Sequence, residues 1–477
     1  MRRTRWPRLI RWALGVGAVS AWVLGPVAGS AGAGVAEPDR LWVVGTRAFE
    51  DGLYDLAYRE LRRFTEVAPT DPRRGDAIFL RAKAAFALGH YDEALADFQV
   101  AETHPLRAAT DGEAIFWQAE ALFRLRRFGE GRERYAFFLR GYPTSQYADD
   151  ALYAQGFSEL ELGRADDAVT SFARLLREWP QSPLADSATY ALARELVRTR
   201  RWDEALAVLT PHASRFPQSP FLVETRYLLG VSQVEAGRAA EGVRTLAEFV
   251  AAHPEHELAA TARILLAETH LKAGRAREAL EAYQGLLKHA PTHPFVPQAL
   301  FQVGELSRQL GRLADAELAW RALRRDHPRD ALAATAGIEL ANLYVRRRQF
   351  DQATEVARHV AQGQGSRRLE ALLLWGDSAL KAGNLADAEQ AYQTALTDAP
   401  AASPERLRAL AGVGLVAETR RDRDAAKRAY QEIIDDASDP ELVRWARGRV
   451  QSLEAQEKPP PKAKPKPQST SKKPSRS

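Results

Sequence analysis

The sequence contains no cysteine. This absence excludes disulfides, thiolate metal sites, a cysteine nucleophile and lipid attachment to a cysteine within these 477 residues, although it says little about the redox compartment. A nucleophile elbow, a phosphate-binding loop, a metalloprotease motif and strand-like alternation are also missing. We therefore predict an all-α chain that is not an enzyme, with no catalytic residue, no cofactor and no bound metal.

Charge is unevenly distributed along the chain. The formal charge is +5 and the isoelectric point is near 9.3, which alone would suggest nucleic acid as a partner. Residues 1–36 carry five Arg and residues 458–477 carry seven Lys or Arg, with no acid in either segment. The part between them holds 55 basic and 62 acidic residues, a formal charge of −7. The body is therefore mildly acidic, and we expect no nucleic-acid partner.

A pattern of 37 residues returns along most of the sequence. Eleven positions mark a turn, with the last two reached by steps of 35 and 38: Gly52, Gly89, Arg126, Gly163, Arg200, Gly237, Gly274, Gly311, Arg348, Gly383 and Arg421. A fixed period of this length is typical of stacked units, each of which buries its apolar face against its neighbours. One elongated array is expected rather than several globular domains.

Further columns keep a fixed distance from the turn. Glycine or alanine occurs in every copy seven residues before it and five residues after it, and bulky side chains such as Phe172 and Trp320 come nine residues after it. Two helices joined by a tight turn approach closely only where their side chains are very small, so we expect the two small columns to meet. Proline ends the second helix in most copies, and pairs such as Ser182-Pro183 and Ser403-Pro404 predict a cap on the next helix.

This spacing resembles the tetratricopeptide repeat (TPR), from about Pro38 to Asp439. The resemblance implies an all-α solenoid of about eleven helix-turn-helix repeats in a right-handed superhelix, whose grooves bind other proteins. Two features depart from the family pattern: the unit is longer than the usual length of about 34 residues, and the first-helix aromatic residue falls one place later.

The linkers between repeats are similar to those of TPR proteins of the Gram-negative cell envelope. The resemblance rests on segments such as Tyr142-Pro143-Thr144-Ser145 and Phe216-Pro217-Gln218-Ser219. Members of that group include the periplasmic TPR protein associated with the Tol-Pal system and the lipoprotein of the outer-membrane β-barrel assembly machine. The resemblance implies an envelope protein whose partners are other envelope proteins or their peptide segments.

The first 36 residues are typical of an export signal. Five arginines precede an apolar run from Trp12 to Val27, and small residues follow. Cleavage after Ala33 or Ala36 fits this pattern, and cleavage after Ala36 would leave Glu37 to open the first repeat. The alternative is an uncleaved N-terminal membrane anchor. In both cases we expect the repeats outside the cytoplasm, in the periplasm.

Four segments follow from these patterns. They are a signal peptide at 1–36, a TPR solenoid at 37–439, a C-terminal capping helix at 440–457 and a disordered Lys/Pro-rich tail at 458–477. The linker 362–366 breaks the repeat register and is either a hinge or a simple loop deletion. The tail is either a solubilising extension or an arm for anionic envelope polymer, acting through Lys458 to Ser477.

Several polar groups of the sequence resemble metal-binding or catalytic residues. The four histidines at 253, 256, 289 and 293 lie in linkers without a recurring carboxylate cluster, which favours solvated loop residues over metal ligands. His212 stands in a column filled elsewhere by Phe138 and Leu175, so we expect it to pack. Acidic pairs such as Asp166-Asp167 recur in the first turn of second helices, where they oppose the helix dipole rather than act in catalysis.

The best candidate for binding is a ladder of aromatic residues on the first helices. The ladder is near the core face, so packing competes with binding, and its tyrosines suit the wet edge of a groove because a hydroxyl tolerates water. Charged residues of the same helices would lie in the inferred groove. The predicted partner-binding residues are Tyr153, Tyr190, Tyr227, Arg194, Glu235 and Glu268.

The sequence thus predicts a non-enzymatic scaffold of the periplasm or envelope. It would hold a segment of another envelope protein during assembly, division or motility. The alternative is a binding module for glycans or anionic polymer, such as cell wall or lipopolysaccharide, acting through the aromatic groove and the basic tail. The oligomeric state is not predicted.

Overall fold

A computed structural model describes residues 36–105 and 112–455. Within these ranges the chain forms α-helices joined by short turns and linkers, and it contains no strand. The all-α prediction is therefore confirmed. The predicted signal peptide, apart from Ala36, and the Lys/Pro-rich tail lie outside the described residues.

Eleven first helices and eleven second helices alternate along this part of the chain, as the repeat pattern predicts. The first helices are α1 (Glu37–Glu50), α3 (Arg74–Leu88), α5 (Glu113–Arg124), α7 (Ala148–Glu161), α9 (Ala185–Arg198), α12 (Leu222–Glu235), α14 (Ala259–Lys272), α16 (Val296–Gln309), α18 (Ala331–Arg346), α20 (Arg368–Ala382) and α22 (Pro404–Thr419). The second helices are α2 (Tyr54–Val67), α4 (Tyr91–Thr103), α6 (Phe128–Gly141), α8 (Ala165–Glu178), α10 (Trp202–Leu209) with α11 (His212–Arg215), α13 (Ala239–Ala252), α15 (Ala276–His289), α17 (Leu313–Asp326), α19 (Phe350–Ala361), α21 (Leu385–Asp398) and α23 (Arg423–Asp436). A final helix, α24 (Pro440–Ala455), follows them.

Residue contacts divide the chain into two compact units, 1–245 and 246–477. The first unit holds α1 to α12 and the start of α13. The second holds the rest of α13 and α14 to α24. Inside each unit, helices that follow one another along the chain pack together as antiparallel neighbours. The linker 362–366 does not separate its flanking helices, because Arg368 donates a hydrogen bond to the Ala361 carbonyl across it.

The turn between the two helices of a repeat is left-handed in every copy. All eleven predicted turn residues have a positive φ, between 58° and 85°. In the fourth repeat the Gly163 amide donates to the Leu160 carbonyl at 3.0 Å and the Arg164 amide donates to the Glu159 carbonyl at 2.8 Å. This arrangement closes the helix end and reverses the chain. The turn column read from the sequence is thus confirmed, including the four copies in which arginine takes the place of glycine.

The two small columns are buried in every repeat, but they contact different parts of the repeat. A Cβ added at Gly156 of α7 would come within 2.7 Å of the Phe172 ring of α8, so the first column makes room for the bulky residue. A Cβ added at Gly242 of α13 would lie 2.8 Å from the Gly230 carbonyl oxygen, so the second column lies on the first-helix backbone. The two small columns therefore do meet, since Gly242 lies on Gly230, and the first column in addition makes room for the bulky ring, which the sequence analysis did not foresee.

The linkers carry a second recurring device, which we call the linker acceptor. This is a side chain nineteen residues after the turn that accepts the backbone N–H two places further on. The pairs are Asp71 with Arg73, Ser145 with Tyr147, Ser182 with Leu184, Ser219 with Phe221, His256 with Leu258, His293 with Phe295 and Asp330 with Leu332, at 2.8 to 3.4 Å.

The linker acceptors correct one prediction about helix caps. Ser182 does not cap α9 directly, because a turn closed by the Ala185 amide and the Ser182 carbonyl at 3.0 Å comes before the helix. Ser403 is a true cap, since its hydroxyl accepts the Arg406 amide and Pro404 follows it at the first helical position. The serine-proline pairs therefore mark linkers in general and a cap in only some of them.

The second helix of the fifth repeat is interrupted. Pro211 cannot donate a backbone N–H and ends α10 early, so the short α11 completes the repeat. His212 at its start is 1% exposed, and its Nε2 lies 2.9 Å from Asp186 while its Nδ1 lies 3.1 Å from the Thr225 hydroxyl. His212 therefore packs inside the repeat, as the sequence predicts, and it is more completely buried than expected.

Candidate functional site

A cavity of about 640 Å³ opens between the first helices α7 and α9. Both helices belong to the first unit, so the cavity lies in the gap between two successive repeats. Four aromatic rings stand among its thirteen lining residues, and charged side chains of α7 and α9 also line it. The lining residues used below are Tyr153, Phe157, Tyr190, Arg194, Glu195 and Phe221.

The first aromatic wall stands on α7. Tyr153 and Phe157 are four residues apart and therefore lie on the same face of the helix, with ring centroids 4.8 Å apart in an edge-to-face arrangement. The back of this wall is the core of the repeat, because the Phe157 ring lies 5.3 Å from the fully buried Phe172 ring. Packing against Phe172 holds both rings in place before any ligand binds.

The second aromatic wall is a stacked pair. The rings of Tyr190 on α9 and Phe221 in the following linker are nearly parallel, 4.6 Å apart with 8° between their planes. The Ser219 hydroxyl accepts the Phe221 amide at 2.9 Å and donates to Asp186 at 2.8 Å. The linker acceptor thus fixes Phe221 against the first helix of the preceding repeat, and the two repeats together build this wall.

Three charged side chains of α9 form the polar edge of the cavity. Glu195 is 5% exposed and pairs with Arg198 at 2.7 Å and more loosely with Arg194 at 3.9 Å. The Arg194 guanidinium also lies over the Tyr190 ring, 6.0 Å from its centroid. The two cations share one buried carboxylate, which stabilises that charge and leaves guanidinium N–H groups facing the cavity.

The tyrosine hydroxyl of the first wall stays protonated at neutral pH. Burial raises the pKa of Tyr153 to about 12, while a hydrogen bond from Ser187 and the nearby Arg194 charge act in the opposite direction. Tyr153 is therefore a neutral hydrogen-bonding group rather than a base or nucleophile. The arrangement can bind an apolar side chain together with a polar backbone or an acidic group, and it offers no acid-base pair aligned for catalysis.

The structure brings three of the six predicted binding residues together. Tyr153, Tyr190 and Arg194 line the cavity. Tyr227 lies half-buried on α12, outside the cavity lining, and burial raises its pKa. Glu235 is exposed at the end of α12, also outside the lining. Glu268 belongs to the second unit, where its charge adds to burial in raising the pKa of Tyr283 to about 12.

Sequence reasoning missed three residues that shape the cavity. Phe157 lies outside the aromatic ladder, which counts only one position per first helix, and Glu195 is not among the charged residues predicted for the groove. Phe221 lies in a linker, outside the helical columns. A usable signal was present, since an aromatic residue follows the linker acceptor by two places in three repeats, at Tyr147, Phe221 and Phe295.

Other kinds of site were also sought. In residues 36–105 and 112–455, no three His, Asp or Glu side chains come together in a way that could hold a metal ion. None of the helices in these ranges has the length and apolar character needed to cross a membrane.

Comparison with protein families agrees with the repeat geometry. A model described as tetratricopeptide repeat matches residues 45–113, 227–297 and 338–406. The chain contains tetratricopeptide repeats. A second model, described as outer membrane lipoprotein, matches residues 148–247 of this TPR protein, which include the whole cavity lining. TPR units are generally non-catalytic scaffolds for protein-protein interaction, and this chain carries that scaffold.

Similar solved structures include the Naa15/Naa10 complex bound to HypK-THB, with 17% identity, coverage of 88% of this chain and 66% of that one, and a TM-score of 0.41. MamA from Desulfovibrio magneticus RS-1 has 18% identity, coverage of 39% and 99%, and a TM-score of 0.33. Yeast Tom70 has 13% identity, coverage of 88% and 96%, and a TM-score of 0.30. This TPR protein thus spans just under two thirds of the first of these chains. No curated protein matches it.

Proposed function

We propose that this TPR protein is an envelope scaffold that holds a peptide segment of another envelope protein in the cavity between α7 and α9. The observation that carries the proposal is the pair of preformed aromatic walls, Tyr153 with Phe157 and Tyr190 with Phe221, on two successive repeats. The match of residues 148–247 to the outer membrane lipoprotein model supports an envelope partner. These 477 residues contain no cysteine, so lipid attachment to a cysteine is not part of the proposal.

Binding follows from the composition of the cavity. An apolar side chain of the partner would insert between the two walls and remove their apolar surface from water, a gain of roughly 25 cal/mol for each Å² buried. Arg194 and Arg198 would meet backbone carbonyls or an acidic side chain of the same segment at the edge. Because stacking already fixes the rings, little conformational entropy is lost on binding.

The proposal includes the organisation of the whole chain. Residues 1–36 direct export to the periplasm, residues 37–439 form the TPR solenoid, residues 440–457 cover its C-terminal end, and residues 458–477 form a basic tail. Envelope assembly, division or motility is the proposed setting. Fractionation of cells with N-terminal sequencing of the mature protein tests export, and a start at Glu37 is the expected result.

Photo-crosslinking in intact cells tests the cavity directly. A benzoyl-phenylalanine placed at Tyr190 is expected to capture envelope proteins, while the same group at Phe137 serves as the control. Phe137 lies on the second helix α6 with 47% of its surface exposed. Equal capture of the same proteins at both positions would remove the cavity from the proposal, and capture of cytoplasmic proteins alone would remove the envelope location.

A paired substitution then measures the contribution of the wall to binding. Tyr190→Ala is expected to weaken the captured complex by roughly 10-fold to 100-fold, the usual range for an aromatic anchor, with the helical circular dichroism retained. Phe137→Ala is expected to leave binding unchanged. Loss of binding only on deletion of residues 458–477, with strong salt dependence, would instead support the anionic-polymer alternative.

A further inference from the structure

Two of the seven linker acceptors are histidines. His256 Nδ1 accepts the Leu258 amide at 3.2 Å, and His293 Nδ1 accepts the Phe295 amide at 3.2 Å. Both lie in the second unit, in the linkers that lead into α14 and α16. The same position holds serine or aspartate in the other five linkers.

Histidine differs from serine at this position because its acceptor can be lost. A backbone N–H can only donate, so Nδ1 must carry no proton, and the neutral ring keeps its hydrogen on Nε2. When the ring takes up a second proton, Nδ1 becomes a donor and the hydrogen bond breaks. A serine hydroxyl accepts at every pH between 5 and 8. Two linkers of the second unit are therefore held by a hydrogen bond that protonation can break. The serine linkers have no such pH-dependent hydrogen bond.

The helices that follow these two linkers share a second peculiarity. Most described first helices have an Asp or Glu in the first turn, at the linker acceptor or at the N-cap. Among the described first helices, only α14 and α16 have none at any of these positions. By contrast α7 begins with Asp149 and Asp150, α12 has Glu224, and α18 has Asp330 just before it. A positive imidazolium would face the positive end of the helix dipole with no carboxylate in that turn to offset it.

The surroundings of the two rings supply unequal charge. Around His256 the linker carries His253, Glu255 and Glu257, and the His256 ring lies edge-on to Phe249 of α13, 5.7 Å away. Glu255 is already hydrogen-bonded to His289 of α15 at 2.6 Å, and Arg263 of α14 donates to the Pro254 carbonyl at 3.0 Å. Once the histidines are charged, these neighbours are three cations, His253, His289 and Arg263, and two anions, Glu255 and Glu257.

His293 has a more cationic setting. Lys288 and His289 form the last turn of α15 before its linker, and the first turn of α16 begins with the uncharged Val296-Pro297-Gln298. The residue that His293 fixes, Phe295, stacks on Tyr283 of α15 at 6.3 Å with 15° between the rings. The hydrogen bond therefore connects the linker to the packing of one repeat on the next.

We propose that His256 and His293 make the linkers into α14 and α16 acid-sensitive, so that protonation releases Leu258 and Phe295 and loosens the packing between these repeats. The serine linkers of the first unit, including the one that builds the cavity wall, keep their hydrogen bonds at the same pH. Acid thus weakens defined junctions of the second unit, independently of the proposed binding function.

Hydrogen exchange of the full chain tests this at the level of single amides. Exchange is measured at pH 7.5 and pH 5 and corrected for the intrinsic effect of pH. Protection of the Leu258 and Phe295 amides is expected to fall roughly fivefold or more at pH 5, the size expected for loss of one capping hydrogen bond. Protection of the Leu184 and Phe221 amides, which serine holds, is expected to change by less than about twofold.

Matched substitutions make the result specific. The double variant His256→Ser and His293→Ser installs the residue found in three other linkers and is expected to abolish the acid effect at both amides. Ser182→His is expected to bring the effect to Leu184. An unchanged acid effect in the double variant, or equal protection of all four amides at both pH values in the parent chain, overturns the proposal.

Discussion

Helix α7 has two sides that use aromatic rings in opposite ways. Towards α8, Gly156 lies against the Phe172 ring, which is fully buried and touches backbone where a side chain would stand. Towards α9, Tyr153 and Phe157 face a cavity whose other wall is the stacked pair of Tyr190 and Phe221. The same residue type therefore stabilises the repeat when it meets glycine and forms a binding surface when it meets the gap between repeats. Because Tyr153 and Phe157 also pack on Phe172, whereas Tyr190 and Phe221 stack on each other, we expect binding to change separately from stability at the second wall.

Removing the two kinds of ring gives the sharpest test. Phe172→Ala is expected to lower the free energy of unfolding by about 3 to 5 kcal/mol, because the surrounding helices cannot close the cavity left behind. Tyr190→Ala is expected to cost about 1 kcal/mol, since this ring is only partly buried. Urea unfolding followed by circular dichroism compares the two. Equal losses would show that the cavity wall is part of the core.

Filling the space beside the ring is the converse change. Gly156→Leu is expected to cost about 1 to 3 kcal/mol, because even its Cβ would come within 2.7 Å of the Phe172 ring. Gly448→Leu in α24 is the control, since nothing lies within 4 Å of a Cβ there and leucine is the better helix former. Thermal unfolding is expected to show a lower midpoint for the first variant only. A stable Gly156→Leu protein would mean that the ring has another place to go.

These contrasts indicate which parts of the molecule the sequence could predict. Gly156, Phe172 and the turn residue Gly163 stand at fixed distances because the helical period repeats the same contact in each unit, so a column of letters identifies them. The cavity is formed where two repeats differ from the average, and Phe221 reaches it from a linker held by Ser219. The aromatic residue two places after the linker acceptor recurs in three linkers, but this pattern does not indicate which of the three borders a cavity.

The misplaced site residues have the same cause. Glu235 and Glu268 stand on first helices, as the prediction requires, yet the residues that line the cavity all lie between Tyr153 and Phe221. The sequence analysis did not predict the break between α10 and α11, although a proline such as Pro211 within a helix indicates one. The column pattern continues on both sides of the break and hides it. The repeat pattern predicts the contacts that all repeats have in common. It does not predict between which two repeats a cavity forms.

A carboxyl group at the start of α7, on Asp150, supplies a pH-dependent test. Burial raises the pKa of Asp150 from 3.8 to about 7, and the nearby Asp149 and Glu120 charges act in the same direction. The folded chain therefore holds a proton that the unfolded chain releases, so the stability contributed by this group is present at pH 4 and is lost as the pH rises towards about 7. Asp150→Asn is expected to be more stable than the parent chain at pH 8, by about 1 kcal/mol after allowance for partial exposure.

The measurement is the unfolding midpoint at pH 4, 6 and 8. The advantage of Asp150→Asn is expected to shrink towards pH 4, because the parent group is protonated there in the folded state. Asp166→Asn on α8 is the control, since its carboxylate is 89% exposed, and it is expected to gain nothing at pH 8. A constant difference at all three pH values would remove the proton from the explanation and leave a simple packing effect.

The smallest expected effect concerns the turn that ends α9, on the cavity side. Arg200 occupies the left-handed conformation with φ of 58°, where the equivalent residue after α7 is Gly163 with φ of 73°. A residue with a side chain pays about 1 kcal/mol for this conformation, whereas glycine adopts it freely. Arg200→Gly is therefore expected to raise stability by up to about 1 kcal/mol, and Gly163→Arg to lower it by a similar amount. Arg200→Gly could instead lower stability in the absence of a bound partner. That result would mean that the arginine side chain makes contacts that outweigh the backbone strain, and that the turns after α7 and α9 are not equivalent.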